Sequence, residues 1–169
     1  MINQLSTMGL EEKYGVYSLT DGSIIGCTLL DTNGTERYRC LNEAYFKKAD
    51  GCLIIYDITN KRSFEEIEKY YIPKLKEKCR KDIVVLLLGN KSDLEDMRKI
   101  SYEEGSELAL KYNFIFKEVS CLENINVVLI FQKIIETSFY EKKKRWNNKD
   151  DTITLSSNRT NLNRTTKCC

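Results

Sequence analysis

Short apolar runs that end in polar residues recur along the chain and predict its strands. Residues 51–57 (GCLIIYD) end in an aspartate, residues 83–90 (IVVLLLGN) end in an asparagine, and residues 114–120 (FIFKEVS) end in a serine. The first two runs do not alternate polar with apolar positions, which is typical of strands buried on both faces of a parallel sheet.

An antiparallel hairpin is predicted nearer the start of the chain, in residues 13–31. Two stretches of strand-forming residues, KYGVYSL and IIGCTLLD, flank the turn sequence TDGS. The pair Asp21-Gly22 tolerates the positive φ angles that tight hairpin turns require.

Helices are predicted between the later strands. Ser63 followed by Glu66, and Ser101 followed by Glu104, match the capping box, in which the two side chains bond backbone N–H groups of the first helical turn. Apolar residues at helical spacing follow the first box, and Pro73 is expected to kink that helix. A long final helix is predicted with one apolar face, which consists of Ile125, Val128, Leu129, Ile135 and Phe139.

The alternation of strands and helices predicts an α/β fold with a mainly parallel sheet. From about residue 146 the chain turns polar and loses any apolar periodicity (NNKDDTITLSSNRTNLNRTTKCC). We therefore expect one domain over residues 1–145 and a flexible tail over residues 146–169.

Composition narrows the function classes. With 169 residues, 41% of them hydrophobic and 31% charged, the chain is long enough for one soluble domain with a core. A formal net charge of +2 does not indicate a nucleic-acid-binding protein. The chain contains no histidine, which excludes histidine-dependent catalysis and histidine metal ligands. No apolar run approaches the ~20 residues that span a membrane.

Cysteines and a basic run add two further expectations. The seven cysteines are odd in number and match no zinc spacing, and no secretory signal opens the chain, which indicates a reducing, intracellular compartment. Cys27 and Cys52 lie in apolar runs and are predicted to be core residues. The basic run 142–145 has two interpretations, a solvated helix terminus, where cations are favourable, or a membrane-binding patch.

Polar loops follow three of the predicted strands and are expected to meet at one edge of the sheet, outside the carboxyl ends of the strands. They begin at Asp31, Asn90 and Ser120. The NKSD sequence of the second loop suits guanine, because the Asp93 carboxylate can accept two N–H groups of guanine together, which adenine does not offer. Lys91 can lie across the base while Asn90 ties the loop to its neighbours. The alternative interpretation is an ordinary polar turn.

The order and spacing of these segments resemble the Ras-like small GTPases and, within them, the Rab branch. The stretch DTNGTERYRCLNEAYFKKADGCLIIYDITNKRSFEEI resembles the family's D-T-A-G-Q-E-R-F segment with its following helix and strand. LLGNKSDL and EVSCL resemble its base-recognition loops, STMG resembles its first switch, and the last two cysteines resemble the doubly prenylated Rab ending. The resemblance covers residues 6 to about 145 and implies a Ras-like, doubly wound α/β fold.

The resemblance also implies a site for GTP or GDP with Mg²⁺. Asp31 would position Mg²⁺ through water, the Gly34 N–H would contact the γ-phosphate, and Thr7 would close on the metal in the GTP state. The base-binding residues implied by the resemblance are Asn90, Lys91, Asp93, Ser120 and, through its backbone N–H, Cys121.

Two departures from the family pattern bear on activity. No G-x-x-x-x-G-K-[ST] occurs in the sequence, although that loop supplies the family's N–H groups and lysine for the phosphates. The domain is therefore expected to be N-terminally truncated relative to the family and to lack a central strand. Residues 1–12 or a partner would fill the place of that strand, or else the fold is loose. Thr35 stands where the family's glutamine orients the attacking water, so no catalytic residue is assigned and hydrolysis is expected to be impaired or absent.

Two functional hypotheses follow. The first is a divergent Rab-like GTPase, a guanine-nucleotide switch in vesicle traffic that prenyl groups on Cys168 and Cys169 anchor to the cytosolic face of a membrane. Its partners would be the membrane and Rab-type prenylation and regulatory proteins, and no nucleic-acid partner is expected. The second is a pseudo-GTPase, a membrane-tethered interaction module without catalysis. The product of a truncated or degraded gene is a further alternative.

Overall fold

The computed structural model describes residues 11–31, 46–150 and 166–168. The strands within these residues are β1 (Glu11–Ser18), β2 (Ile24–Asp31), β3 (Gly51–Asp57), β4 (Val84–Asn90), β5 (Ile115–Val119) and β6 (Thr166–Cys168). The helices are α1 (Lys61–Glu66), a π-helix (Ile67–Tyr71), α2 (Ile72–Lys78), a 3₁₀ helix (Glu95–Met97), α3 (Tyr102–Tyr112) and α4 (Val127–Asp150). The described strands form two three-stranded sheets, of order β1-β2-β6 and β3-β4-β5.

β1 and β2 form the predicted antiparallel hairpin, paired along the whole length of both strands. At the turn, Gly22 has a φ of 81°, a left-handed conformation that glycine adopts without steric cost. The Asp21 carboxylate accepts the Ser23 N–H at 2.8 Å and completes the turn.

The second sheet is parallel throughout, with β4 in the middle, as the apolar runs predict. Its register places Asp57 of β3 beside Asn90 of β4, and Asn90 beside Val119 of β5. The three strands therefore end at the same level, and their following loops emerge together.

The first helix begins at a different residue from the one predicted. Asn60 is its N-cap and accepts the N–H groups of Arg62 and Ser63 through its side chain. The Ser63 hydroxyl instead donates to the Asn60 carbonyl at 2.7 Å and accepts the Asp57 N–H at 3.1 Å, which ties the helix to the end of β3. The prediction of a capping box at Ser63 was wrong because a residue just upstream already provides the cap. Pro73 lies in the first turn of α2, where its missing N–H costs little, and the π-helix precedes it.

The second capping box is confirmed. The Ser101 side chain accepts the Glu104 N–H at 3.1 Å, and the Glu104 carboxylate accepts the Ser101 N–H at 2.8 Å. α3 ends at Tyr112 and is capped by Asn113, whose φ of 58° is the left-handed conformation common after a helix.

The buried face of α4 matches the predicted one only in part, because Ile135 is buried and Phe139 packs against the core while the other predicted residues do not. Val128 and Leu129 are 67% and 63% exposed, and Ile125 lies before the helix begins. The buried residues of α4 are Ile130, Ile134, Ile135 and Ser138. Apolar residues occupy more than one face of this helix, so periodicity alone did not settle which stripe packs inward. None of the helices in the described ranges is long and apolar enough to cross a membrane.

β4 divides the core into two clusters, since successive side chains of a strand point to opposite faces. Leu86 and Leu88 pack under α4 with Cys27 of the hairpin. Val85 and Leu87 pack on the other side against the π-helix, α2 and α3. The prediction of burial on both faces is confirmed for β4, but in β3 it is wrong at Ile55, which is 54% exposed. The core position of Cys27 is confirmed, whereas Cys52 is only half-buried.

A buried charge cluster ties α4 to the beginning of β3. The side chain of Asp50 is 1% exposed and lies 2.7 Å from the Lys142 ammonium, 3.1 Å from Arg145 and 3.5 Å from Arg80. Arg145 also binds Asp82 at 2.7 Å. Lys142 and Arg145, half of the basic run with two interpretations, therefore make structural contacts within the fold.

On the edge of β2 opposite β1, the neighbouring strand comes from the C-terminal segment. β6 pairs with β2 in parallel, with residues 166–168 opposite residues 27–29. Glu12, one of the residues expected to fill a missing central strand, lies instead in β1 at the opposite edge of β2. Part of the predicted tail is thus a strand, and α4 continues past residue 145 to Asp150.

Candidate functional site

The loops after β4 and β5 are joined at the carboxyl edge of the parallel sheet. The Ser92 N–H donates to the Val119 carbonyl at 3.1 Å. The Ile58 N–H, just beyond β3, donates to the Asn90 carbonyl at 3.1 Å. The structure therefore brings the NKSD loop and the loop at Ser120 together, at the edge where the sequence places them.

Asp93 is held by the most buried residue of the neighbouring loop. Ser120 is fully buried, and its hydroxyl donates to Oδ1 of Asp93 at 2.5 Å. The Ser120 hydroxyl oxygen also accepts the Glu123 N–H at 3.0 Å, while the Ser120 backbone forms two hydrogen bonds with Ile125. With both its backbone and its hydroxyl engaged, Ser120 holds the Asp93 carboxylate in a defined position.

Asn90 ties the two loops together, which is the role predicted for it. Its side-chain oxygen accepts the backbone N–H of Cys121 at 3.2 Å. This N–H is also the group implied to contact the guanine carbonyl oxygen, so a bound base would share it with Asn90. Cys121 itself is exposed, and only its backbone takes part in this contact.

Lys91 has a left-handed backbone and a charged partner. Its φ is 69°, an uncommon conformation for a residue with a side chain, and its ammonium lies 2.6 Å from Oδ2 of Asp57. Oδ1 of Asp57 accepts both the N–H and the hydroxyl of Thr59, at 2.8 and 2.7 Å. Burial opposes ionisation of Asp57, but the hydrogen bonds from Lys91 and Thr59 outweigh it and hold the pKa of Asp57 below its ordinary value.

A second ion pair, between Arg98 and Glu118 of β5, lies close to these loops. Both terminal nitrogens of Arg98 donate to the Glu118 carboxylate, at 2.7 and 2.8 Å, in the bidentate geometry that arginine favours. The hydrogen bonds to Glu118 and Glu95 raise the pKa of Arg98 above its ordinary value. The Asn126 side chain donates to the Glu118 carbonyl at 2.8 Å, so the loop between β5 and α4 is fixed at both ends.

The remaining predicted site residues lie elsewhere. Asp31 ends β2 in the other sheet, is exposed, and lines a cavity between the two sheets that the NKSD loop does not line. Cys168 ends β6. The residues that lie outside the described ranges are Thr7, Gly34, Thr35 and Cys169.

The metal prediction depends on groups beyond the described residues. Within those residues, no cluster of three or more Cys, Asp or Glu side chains could hold a metal ion. A single carboxylate such as Asp31 fits Mg²⁺ only as one of several oxygen ligands, with the others coming from water or nucleotide phosphates.

Asp57 and Thr59 were not among the predicted site residues. The sequence contains a usable signal, because Asp57 ends a buried strand just as Asn90 does. What the sequence does not show is the pairing of Asp57 with Lys91, which depends on the register of β3 against β4.

Comparison with known proteins decides the family. Residues 2–140 match the Ras family model. The chain belongs to the Ras family. It is 35% identical over 160 residues to the Ras-related protein Rab-11B of Dictyostelium discoideum, covering 95% of this chain and 70% of that protein. It is 38% identical over 135 residues to the Ras-related protein RGP2 of Oryza sativa subsp. japonica, covering 79% and 61%.

A third relative extends the Rab likeness. The chain is 41% identical over 123 residues to the Ras-related protein Rab-8A of Bos taurus, covering 73% of this chain and 58% of that protein. The predicted Rab branch of the Ras-like small GTPases is confirmed, and so is the Ras-like α/β fold class. The matched segments span between 58% and 70% of the lengths of these three relatives.

Proposed function

We propose that this Ras-family chain is a guanine-nucleotide-binding switch that acts in membrane traffic. The observation that carries the proposal is the 2.5 Å hydrogen bond from Ser120 to Asp93, which orients a carboxylate at the carboxyl edge of a parallel sheet. Family membership supports the nucleotide class, because Ras-family proteins bind GTP and GDP in general.

The base is selected through Asp93. Guanine presents a ring N–H and an amino group side by side, and one carboxylate accepts both, whereas adenine presents an acceptor nitrogen in place of the first. Asn90 and the Cys121 N–H supply further polar contacts beside it. A site built around such paired hydrogen bonds rejects a mismatched analogue strongly, because a polar group is then left unpaired.

The phosphate end is proposed on sequence grounds. Asp31 would hold Mg²⁺ through water, Gly34 would donate its N–H to the γ-phosphate, and Thr7 would complete the metal site in the GTP state. Since no G-x-x-x-x-G-K-[ST] occurs in these 169 residues, phosphate contacts from the given residues are fewer than in the family pattern. Thr35 is too short to orient water as glutamine does, so hydrolysis is proposed to be very slow.

The C-terminal cysteines are proposed as the lipid anchor. Cys168 and Cys169 end the chain as given, and two prenyl chains give stable membrane attachment where one gives only marginal binding. The proposed site of action is the cytosolic face of a membrane, with Rab-type prenylation and regulatory proteins as partners.

The test is to denature the purified protein, identify any released nucleotide by chromatography, and then measure affinities for GDP, ADP and xanthosine diphosphate by calorimetry. Asp93→Asn should lower GDP affinity about tenfold to a hundredfold, because a charge-assisted contact is worth about 1.5–3 kcal/mol. It should also raise xanthosine diphosphate affinity, since the amide can donate to the extra carbonyl. Asp96→Asn, an exposed change in the same segment, should alter neither value. Equal affinity for GDP and ADP in folded protein contradicts the proposal.

A second candidate is a pseudo-GTPase that acts as an interaction module. The observations that favour it are the missing G-x-x-x-x-G-K-[ST] in the given residues and Thr35 at the glutamine position. Folded protein that carries no nucleotide and binds neither GDP nor GTP would support this candidate. Bound GTP that persists without hydrolysis would instead support a switch with impaired catalysis.

A further inference from the structure

The two sheets are separated by a cavity at the place where a strand would join them. The cavity has a volume of about 530 Å³ and lies between β2 and β3. On that side β3 is the outermost described strand of its sheet, and β2 is paired only by the three residues of β6. Among the described residues, only β6 pairs with the edge of β2 that borders this space, so the rest of that edge can accept backbone hydrogen bonds from an added strand.

The lining places the space in a partly open groove between two strands. Leu29 and Leu30 of β2 form one wall, and residues 52–55 of β3 form the opposite wall. Phe131 and Ile134 of α4 lie on one side. The lining residues from the π-helix and α2, on the other side, are Tyr71, Lys74 and Leu75. Because helices cover both faces, an occupant would be buried on both faces, as an inner strand of a doubly wound sheet is.

The lining also defines the chemistry of the occupant. Leucine, isoleucine and aromatic side chains dominate the cavity, while Lys13, Lys74 and Asp31 supply its charges. An edge of β2 offers backbone hydrogen bonds, and strand addition at such an edge takes its affinity from the main chain and its specificity from alternate side chains. The space therefore fits an extended peptide segment with apolar side chains.

One such segment already begins to fill it. Residues 166–168 pair in parallel with residues 27–29 and also lie against β3 and α4. We propose that the space between β2 and β3 is a docking groove for the C-terminal segment of this chain, which occupies it while its cysteines carry no lipid.

The register gives this docking a consequence for lipidation. Cys168 stands opposite Leu29, in a strand placed between two sheets. An enzyme that attaches a lipid to this cysteine needs the segment extended away from the fold, and a lipid inserted in a membrane holds it there. Docking and membrane anchoring of the segment therefore exclude each other. This consequence rests on the proposed lipid anchor, whereas the docking itself does not.

Hydrogen exchange on the chain of residues 1–169, expressed in bacteria and without lipid, tests the docking. In the hairpin, alternate N–H groups of β2 point to β1, and those between them point to the groove. We expect the groove-facing N–H groups of residues 27–29 to exchange at least about tenfold more slowly than unstructured amides. Exchange of these groups at the unstructured rate in the wild-type protein overturns the proposal, without need of any variant.

A pair of double variants identifies the occupant. Successive N–H groups of a strand point to opposite sides, so one of the N–H groups of residues 166 and 167 faces β2. Because proline has no N–H, the double variant Thr166→Pro with Lys167→Pro removes that hydrogen-bond donor. This variant should lose the protection at residues 27–29 and retain that of β4. Ser156→Pro with Ser157→Pro, the same change earlier in the tail, should retain both. If the groove-facing amides stay protected in the first variant, another segment fills the groove and the proposal is wrong.

The outcome is separable from that of the proposed function. Exchange at β2 is measured without added nucleotide and on protein without lipid. A chain that fails to prefer guanine, or that is never prenylated in cells, can still show the docked segment. Conversely, an undocked segment in a guanine-specific, prenylated protein overturns only the docking.

Discussion

The ammonium of Lys91 lies 2.6 Å from the carboxylate of Asp57, so the residue implied to cover the guanine base is bound to the end of the neighbouring strand. The pair exists because β3 and β4 end at the same level in a parallel register, with Asp57 beside Asn90. It restrains a lysine whose φ of 69° is uncommon for a residue with a side chain.

The ionisation of Asp57 should depend on Lys91. In the wild-type protein, we expect the Asp57 carboxyl to titrate below the ordinary aspartate value of 3.8, because Lys91 and Thr59 stabilise its charged form. Lys91→Met removes the cation and should move this titration upward. Carbon-detected NMR of the side-chain carboxyl measures both midpoints, and Lys81→Met, a change at an exposed lysine, serves as the control. Identical titrations in wild type and Lys91→Met would show that the pair does not form in solution.

The pH dependence of stability follows from the same pair, with a defined sign. A carboxyl whose pKa is lowered by folding stabilises the fold above its unfolded-state pKa, and this contribution is lost as the pH falls through the lower, folded value. Asp57→Asn should therefore destabilise the protein at neutral pH, and its difference from wild type should shrink below pH 3.8. Urea denaturation at a series of pH values measures this difference. A difference that grows as the pH falls contradicts the sign.

Ser120 should control the affinity of the base site through Asp93. Ser120→Ala removes the 2.5 Å hydrogen bond to the carboxylate and the acceptor for the Glu123 N–H. We expect GDP affinity to fall by about tenfold, equivalent to about 1.4 kcal/mol, with the preference for guanine over adenine retained because Asp93 is still present. Calorimetry with GDP and ADP gives both values, and Ser106→Ala, outside the site, is the control. Unchanged GDP affinity would mean that Asp93 needs no support from Ser120.

The charge cluster at Asp50 should contribute to stability. Asp50→Asn removes the carboxylate that Lys142, Arg145 and Arg80 share, and leaves three cations close together. Since those cations are partly exposed, we expect a loss of about 2 kcal/mol, less than for a fully buried pair. Thermal or urea denaturation measures it. Asp82→Asn, at an aspartate whose side chain is 49% exposed, should cost less than about 1 kcal/mol. Equal effects of the two changes would show that burial of Asp50 does not matter.

The hydroxyl of Tyr56 should be dispensable. Tyr56 is 2% exposed, and its hydroxyl has no hydrogen-bond partner among the described residues. The Tyr56 hydroxyl lies close to Gly105, where an added Cβ would be 2.4 Å from the hydroxyl oxygen. Tyr56→Phe should leave the free energy of unfolding unchanged or raise it by about 1 kcal/mol, because an unpaired buried hydroxyl is costly. Tyr112→Phe removes a hydroxyl that binds Glu68 at 2.6 Å and should not stabilise. A loss of more than about 1 kcal/mol in Tyr56→Phe would reveal a partner for the hydroxyl.

Local patterns predicted most of the described architecture. The hairpin, the strands of the parallel sheet and the capping box at Ser101 follow from alternation, apolar runs and turn chemistry, which act between residues close in the chain. For the same reason the sequence placed Asn90 and Ser120 at one sheet edge, since parallel strands deliver their following loops to the same side. The helix start at Asn60 was missed because Asn60 and Ser63 are both residue types that cap helices, and the contacts of the Ser63 hydroxyl with Asp57 and Asn60 form only in the folded chain.

The sequence by itself determined the α/β class, the parallel sheet and the position of the loops at Asn90 and Ser120, because period, capping and strand-end chemistry are properties of short segments. Tertiary structure decided which stripe of α4 is buried, that Lys91 binds Asp57, and that the strand beside β2 comes from residues 166–168. Each of these depends on groups far apart in the chain that meet only when the sheets and helices pack. These contacts are therefore stabilised by side-chain packing and by the register of the strands, which no local sequence pattern specifies.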